Sequence, residues 1–431
     1  METAERRYPV GIQTFSEIRK GNYVYIDKTD LVWEMTRLKY VFLSRPRRFG
    51  KSLLSSTLHS YFDGRKDLFE GLKIMTLEKE WEEYPVIHLD VSTAKNQPSA
   101  KELQDTLLFN MKPLAEQFGK EEDETTPGKL LTGMIRRAYE TTGKQVAVII
   151  DEYDAPLLEV LHEEEVLPEY RRVMQELYTP LKASEPMIRF CFITGITKFS
   201  QLSIFSTINN LKNVTMLPQF SAICGITEQE LVSDMAEDIR RMAEENECTP
   251  EEMHAKLKQQ YDGYRFSKKE EEIYNPFSLM NAFGDKMLNS YWFASGTPTF
   301  LIRQMQHFRT DITTMEHIEA VASAFDRPTE AMESALPLLY QSGYLTIKDY
   351  DRETDSYILA IPNKEVRVGF IEGLMPTYIG LDGSSVQVGF AMKFWRALKR
   401  NNLDLAMQEM KAFLAGIPYV EGFQKKLEAN R

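Results

Sequence analysis

Three consecutive residues, Gly50, Lys51 and Ser52, have the types that bind the phosphates of a nucleotide. They follow the apolar run YVFLS and begin a segment with helical periodicity, so they would lie between a strand and a helix. In such a loop the backbone amides face the phosphates, a lysine neutralises the β and γ groups, and a hydroxyl binds magnesium. We therefore predict that Lys51 contacts the phosphates and that Ser52 is a ligand of Mg²⁺.

The loop departs from the general phosphate-loop pattern at its first position. The pattern GxxxxGK[ST] places a glycine at residue 45, where this sequence has Arg45. The alternative is a chance Gly-Lys-Ser tripeptide, because Gly and Ser are common where helices begin. The preceding strand and a second motif favour the phosphate loop, and we assign Arg47, Phe49 and Leu53 to it together with the tripeptide.

The second motif is VAVIIDEYD, a hydrophobic strand that ends in Asp151 and Glu152. In a P-loop ATPase the first acid holds Mg²⁺ beside the serine hydroxyl, and the second polarises the attacking water. The carboxyl edge of an open α/β sheet is also where ligands bind. The motifs correspond to Walker A and Walker B, and they predict Asp151 as a metal ligand and Glu152 as catalytic. Solvated strand-end charges are the alternative, and Asp154 is expected to cap the next turn.

A third strand, IRFCFIT, ends in Thr194. A polar residue at the end of a neighbouring strand can contact both the γ-phosphate and the attacking water, so Thr194 is our candidate for that sensor role. The alternative is a threonine whose hydroxyl hydrogen bonds to backbone at the strand end. The sequence leaves both interpretations open.

The phosphate loop is strongly basic. Arg45, Arg47, Arg48 and Lys51 place four cations in seven residues without an acid. Such a run is usually a solvated face, but beside a triphosphate it concentrates positive potential where charge develops. One arginine of the adjacent pair could act in trans as an arginine finger, and we assign Arg48 to catalysis.

Alternation of short apolar runs with amphipathic stretches predicts an α/β core with a parallel sheet. The expected strands are residues 40–44, 85–91, 146–150 and 188–194, and the expected helices are residues 51–62, 99–117, 129–141 and 168–184. We predict a P-loop core over residues 1–227 and a helical lid over 228–290, with Arg265 reaching the nucleotide. Residues 291–431 are expected to be helical and winged-helix-like, with a hairpin at 344–348 and 357–361.

Composition and charge exclude several classes of protein. The chain has 431 residues and 52 basic against 64 acidic side chains, a net charge of −12, so nucleic acid contacts must be local. The longest uncharged stretch, residues 287–302, contains Gly296 and Pro298 and cannot span a bilayer. The N-terminus lacks a secretory signal, and three separated cysteines are typical of reduced thiols. We expect a cytoplasmic protein without membrane partners.

The motifs together resemble the AAA-ATPase-like family of gut anaerobes, whose members usually carry a C-terminal nuclease of the PD-(D/E)xK superfamily. The resemblance rests on residues 11–18, 23–29, 42–54, 149–157, 192–200, 203–211, 261–267, 274–279, 291–302 and 342–348. The family's loop also reads RPRRFGKS, so Arg45 conforms to it. The resemblance implies an AAA or STAND-like core with a helical lid and a winged-helix-like region. No expected strand pair here has the nuclease's Asp and ExK, so we predict that these residues do not include it.

Two segments outside the main motifs add hypotheses. The segment YVYIDKT, which offers Asp27 and Lys28, is expected to pack beside the nucleotide, with Asp27 supporting the site through a neighbouring residue. A strand followed by a helix cap explains the segment equally well. Residues 392–402 are basic with Trp395 and suggest DNA contact, but an amphipathic helix with buried aromatics is the alternative.

The predicted function is binding of ATP with Mg²⁺, and hydrolysis that drives a lid or an attached effector. The alternative is a nucleotide-gated binding module with little or no hydrolysis. Candidate partners are the nucleotide, further copies of the chain, and DNA or a nuclease. The presence of Glu152 favours turnover.

Overall fold

The computed structural model describes residues 6–198, 211–295, 299–329, 332–374 and 402–415, with the isolated positions 393 and 397. The chain divides into two compact units, Met1–Gly369 and Phe370–Arg431. Every element described below belongs to the first unit, except the last helix and one π-helical turn. The segment with Trp395, which suggested DNA contact, lies largely outside the described residues.

The core of the first unit is a five-stranded parallel sheet with the order β2-β3-β4-β1-β5. Its strands are β1 Tyr40–Ser44, β2 Val86–Asp90, β3 Val146–Asp151, β4 Ile188–Gly195 and β5 Lys212–Asn213. β1 and β3 are buried along their whole length, as expected when helices cover both faces of a parallel sheet. The prediction of an α/β core is therefore confirmed, and the four expected strands match within one residue at each end. β5, of two residues, was not predicted.

The helices of this part of the chain are α1 Phe15–Lys20, α2 Thr29–Thr36, α3 Lys51–Phe62, α4 Ile74–Leu77, α5 Ala100–Asn110, α6 Lys112–Phe118, α7 Pro127–Thr142, α8 Ala155–Glu159, α9 Leu167–Tyr178 and α10 Pro180–Ala183. α3 has the predicted bounds. Two expected long helices are each split, because a proline near the start of α6 and of α10 begins a new helix. α7 begins after the Thr126 cap and ends at the left-handed Gly143, a start and stop typical of helices.

The segment expected to form the lid is helical, with α11 Glu228–Asp234, α12 Ala236–Glu245, α13 Pro250–Tyr261 and α14 Pro276–Asp285. Capping boxes begin α11 and α13, where Thr227 pairs with Glu230 and Thr249 with Glu252. Two short strands that were not predicted, β6 Ile226–Thr227 and β7 Ile273–Tyr274, pair antiparallel. The N-terminal Val24 belongs to the hydrophobic core of these helices. The exact domain boundaries stay predictions.

The following segment contains α15 Thr299–His307, β8 Ile318–Val321, α16 Ala322–Phe325, α17 Leu336–Gln341, β9 Thr346–Asp351, β10 Ser356–Ala360 and α18 Lys364–Gly369. β9 and β10 form the expected hairpin, and β8, which was not predicted, adds a third antiparallel strand to β10. Winged-helix character stays a prediction. The second unit contributes α19 Leu403–Ala415 and a π-helical turn, Phe370–Leu374.

Short 3₁₀ helices connect several of these elements: Lys66–Phe69, Ser92–Ala94, Glu185–Met187, Pro218–Phe220, Trp292–Ser295 and Ile312–Thr314. Among the helices that the structure describes, none is long and apolar enough to cross a membrane.

Candidate functional site

A cavity of about 370 Å³ lies beside the loop that joins β1 to α3. Its walls come from four segments far apart in sequence, residues 9–13, 48–54, 223–226 and 276–281, together with parts of 24–32 and Glu152. Most lining side chains are apolar, and the charged ones are Lys28, Arg48, Lys51 and Glu152. An apolar cavity of this size with a few convergent charged groups is typical of a small-molecule site.

The backbone of the loop has two left-handed residues. Gly50, which immediately precedes α3, has a φ of +80°, a conformation that favours glycine. A Cβ built there would meet no atom within 4 Å, so the backbone conformation, and not close packing, is what favours glycine. Arg48 has a φ of +64°, which costs about 1 to 2 kcal/mol in a residue with a Cβ. This conformation places Arg48 in the cavity wall.

Lys51 is the first residue of α3 and is 4% exposed. Its Nζ donates to the carbonyl oxygen of Pro46 at 3.2 Å and lies 3.6 Å from Oε1 of Glu152. The ammonium group therefore lies over the loop, beside the acid at the end of β3. Bound phosphate oxygens would replace these two acceptors.

The carboxyl end of β3 places two acids next to the loop. Asp151 is buried and does not line the cavity, whereas Ser52 does line it. Burial raises the pKa of Asp151 to about 6, although the nearby Ser52 hydroxyl and the charge of Lys51 oppose the rise. Hydroxyl and carboxylate oxygens are the ligands that Mg²⁺ prefers, with water and phosphate completing its shell. The structure thus brings together the two predicted metal ligands.

Glu152 follows Asp151 in a left-handed conformation with a φ of +52°. This turn directs its carboxylate to the cavity, where it meets Lys51. Burial raises the pKa of Glu152, but the charges of Lys51, Lys95 and Arg47 more than offset this and leave it lowered. Glu152 is therefore ionised at neutral pH, as a water-polarising base requires.

Thr194 lies on β4, the strand between β1 and β3. Its hydroxyl is buried and donates to the carbonyl oxygen of Leu43 at 2.7 Å. This is a side-chain to backbone bond of the kind that the alternative interpretation describes, and Thr194 does not line the cavity. The sensor role stays a prediction.

Asp154 does not cap the turn that follows it, so that expectation was wrong. Its side chain makes no cap hydrogen bond to α8. Instead the buried carboxylate accepts from the backbone N–H groups of Ile196 and Thr197 and from the Thr197 hydroxyl, at 3.1, 2.7 and 2.7 Å. It therefore joins the end of β3 to the end of β4, a long-range contact that local sequence does not reveal.

We expect Asp154→Ala to lower the free energy of unfolding by at least about 3 kcal/mol, because buried donors to a charged group would lose their acceptor. Urea unfolding followed by circular dichroism measures the change. Asp67→Ala is the matched control, because this acid is 59% exposed and pairs with Arg65 on the surface. Equal midpoints for the two variants would contradict a structural role for Asp154.

The arginines of the loop have three different surroundings. Arg45 is 1% exposed, and its guanidinium donates to the carbonyl oxygens of Ser44, Thr215 and Phe220 at 2.9, 2.8 and 3.0 Å. It does not line the cavity. Arg45 is thus a buried cation that joins β1 to the chain after β5, and its contribution of positive potential beside the phosphates stays a prediction.

Arg47 and Arg48 lie against different aromatic rings. The Arg47 carbonyl accepts from the Trp292 indole at 3.2 Å, and its guanidinium lies 5.7 Å from the Phe300 ring centre. The Arg48 guanidinium lies 3.8 Å from the centre of Phe277. Of this pair, Arg48 lines the cavity of its own chain and Arg47 does not. Of the other assigned loop residues, Phe49, Gly50, Lys51, Ser52 and Leu53 all line it.

Arg265 and Asp27 do not line the cavity. The Arg265 guanidinium donates to the backbone carbonyls of Lys269 and Lys348 and not into the cavity that it was expected to reach. Asp27 accepts from the N–H and hydroxyl of Thr29 and from the N–H of Lys73, which supports the helix-cap alternative. Its neighbour Lys28 does line the cavity; the segment was expected to pack beside the nucleotide, but Lys28 had no role of its own in that prediction.

Two comparisons with known proteins bear on this site. A family model described as "Predicted AAA-ATPase" matches residues 9–205. A protein of Azotobacter chroococcum mcd 1, named "Uncharacterized protein in vnfD 5'region", is 32% identical over 427 residues, which cover 96% of this chain and 78% of that protein. The chain belongs to the predicted AAA-ATPase family. The resemblance to an AAA-ATPase-like family is thus confirmed, and the link of that family to a nuclease stays a prediction.

The family model matches only part of the cavity wall of this predicted AAA-ATPase. The matched range, residues 9–205, includes the wall at residues 9–13, the phosphate loop, Asp151, Glu152 and Thr194. The walls at 223–226 and 276–281 lie beyond the matched range. In the sequence, these walls are marked only by the motif YNPFSL, which contains Phe277 and was used for the family resemblance without a role in binding.

Proposed function

We propose that the protein binds ATP with Mg²⁺ in this cavity and hydrolyses it. Membership of the predicted AAA-ATPase family supports ATP binding. The observation that carries hydrolysis is the geometry where β3 ends beside the loop: Lys51 lies 3.6 Å from Glu152, and Ser52 lies near Asp151. This arrangement supports a proposed metal site, phosphate-binding cation and ionised carboxylate at one edge of the sheet.

In the proposed reaction Lys51 moves from Pro46 and Glu152 to the β and γ phosphates. The freed Glu152 carboxylate accepts a hydrogen bond from water and orients it for attack on the γ-phosphorus. Ser52 and Asp151 would hold Mg²⁺, which supplies positive charge to the phosphate oxygens. Arg48 is the loop arginine placed to contact charge that develops in this chain's own cavity.

The apolar parts of the cavity wall would contact the base and sugar of the nucleotide. Residues 9–13 and 276–281 are separate cavity segments, and they offer the rings and aliphatic groups of Pro9, Ile12, Phe277 and Met280. Because the second segment belongs to the expected lid, nucleotide binding and lid position are linked. We include movement of the lid, or of an attached nuclease or DNA effector, in the proposal.

A single-turnover assay tests hydrolysis. Excess protein with Mg²⁺ and labelled ATP is expected to convert the bound nucleotide to ADP and phosphate. The same reaction with GTP measures base preference, and omission of Mg²⁺ measures the need for the metal. Bound ATP that stays intact over hours would favour the nucleotide-gated binding module instead.

Mg²⁺-dependent ATP binding should depend on pH through Asp151. Because burial raises its pKa to about 6, the carboxyl is protonated below that pH and must lose a proton before it binds the metal. We expect the Mg²⁺ affinity to be constant above pH 7 and to fall by about tenfold per pH unit well below pH 6. Mg²⁺ titrations of the protein with ATP between pH 5 and 8 measure this.

Asp151→Asn provides the control for that experiment. The amide keeps the shape of the side chain but does not titrate, so the Mg²⁺ affinity of the variant should be low and should change with pH only through protonation of the ATP γ-phosphate, which is common to both proteins. A variant with the same pH profile as the original protein would exclude Asp151 as the titrating group.

A further inference from the structure

An ion pair at the cavity edge connects the chain before α2 to the expected lid. Nζ of Lys28 lies 2.5 Å from Oε2 of Glu230 in α11, and the two side chains are only 10% and 18% exposed. Lys28 also lines the cavity together with Gly50 and Lys51. A second lysine is thus held close to the phosphate loop by an acid of another segment.

The two members of the pair differ in their other partners. The same Glu230 oxygen accepts from the N–H of Thr227 at 2.9 Å and from its hydroxyl at 3.0 Å, which forms the capping box of α11. Among the residues that the structure describes, Glu230 is the one hydrogen-bond acceptor of the Lys28 ammonium, which has three N–H donors. Glu230 would therefore keep two hydrogen-bond donors if Lys28 moved away. The Lys28 ammonium has further N–H groups that could donate to another acceptor.

Lys28 and Lys51 line the same cavity, together with Cys224. Burial raises the pKa of the Cys224 thiol, and the charges of Arg45, Lys51 and Lys28 oppose the rise, which agrees with the placement of both lysines around this cavity. A bound polyphosphate there would be attracted by both ammonium groups and repelled by the Glu230 carboxylate.

We propose that Lys28 is a second phosphate-binding cation, which exchanges its ion pair with Glu230 for the polyphosphate of the bound nucleotide. This inference rests on the proposed ATP binding. The exchange removes a contact between the chain before α2 and the first lid helix, so occupation of the cavity is transmitted to the lid. Lys28 is therefore proposed to bind the nucleotide directly and, in the empty cavity, to hold α11.

Two variants with opposite expected effects test the exchange. Lys28→Met should weaken ATP binding by roughly tenfold or more, because a charge-assisted contact is lost. Glu230→Gln should strengthen it several-fold, because the glutamine preserves the capping box and no longer competes for Lys28. Equilibrium titration with a fluorescent ATP analogue measures both, and adenosine should compete equally well in every variant.

The matched control is Lys39→Met, which breaks the Lys39–Glu185 ion pair outside the cavity and should leave ATP affinity unchanged. If Lys28 only fastens the lid, both site variants will weaken ATP and adenosine binding alike, and the proposal is wrong. It is also wrong if Lys28→Met binds ATP normally. If Lys28→Met does not fold, the sign of the Glu230→Gln effect decides. Absence of ATP binding by the unmodified protein would instead refute the proposed function.

Discussion

Glu152→Gln is expected to reduce the rate of ATP hydrolysis by two or more orders of magnitude while ATP affinity is kept. The carboxylate acts on the attacking water, a contact that matters only as the γ-phosphate departs, so about 2.7 kcal/mol or more is added to the barrier. The structure adds a reason why affinity should not fall. Glu152 lies 3.6 Å from Lys51, so loss of its charge removes a competitor of the phosphates for that lysine.

Single-turnover hydrolysis and equilibrium ATP binding, measured on the same preparation, separate the two quantities. Glu82→Gln is the matched control, because this acid is 47% exposed and pairs with Lys144 far from the cavity wall. The control should show unchanged rate and affinity. Normal turnover in Glu152→Gln would exclude the water-polarising role and favour the binding module.

Lys51→Ala is expected to weaken ATP binding by roughly ten- to a hundredfold, with turnover falling at subsaturating ATP by at least as much. Lys51 contacts the phosphates in both the ground state and the transition state, so binding and rate decrease together. The alanine also leaves Glu152 without its nearest cation. Thermal unfolding of the variant should therefore be measured alongside binding.

Lys129→Ala is the control for that variant, since this lysine is exposed and donates only weakly, at 3.5 Å, to the Asp123 carbonyl. The role of Glu152 is decided by comparing the ATP affinities of Glu152→Gln and Lys51→Ala. A loss of affinity in Glu152→Gln as large as in Lys51→Ala would mean that Glu152 binds the nucleotide instead of activating water.

The sequence by itself determined the core strands and which candidate site residues lie at their ends. Continuous apolar runs at 40–44 and 146–150 predict buried parallel strands, because burial on both faces excludes polar residues. Gly50 was recognisable from the Gly-Lys-Ser tripeptide, and the structure gives it a left-handed φ, which favours glycine. These signals are local, so they can be read without knowledge of the fold.

The tertiary structure decided what each charged side chain contacts. The three loop arginines lie within four residues of one another, yet each guanidinium lies against a different aromatic ring. The distances to the ring centres are 4.3 Å from Arg45 to Phe266, 5.7 Å from Arg47 to Phe300 and 3.8 Å from Arg48 to Phe277. Long side chains find partners hundreds of residues away, and no local pattern specifies which one.

The same reason explains the other differences from the sequence analysis. Asp154 joins two strand ends and does not cap a turn, and Arg265 donates to carbonyls outside the cavity. Lys28 pairs at the cavity edge with Glu230 of α11, which follows it in the chain by 202 residues. Local sequence determines which groups a segment offers, and long-range packing determines which of them meet at the site.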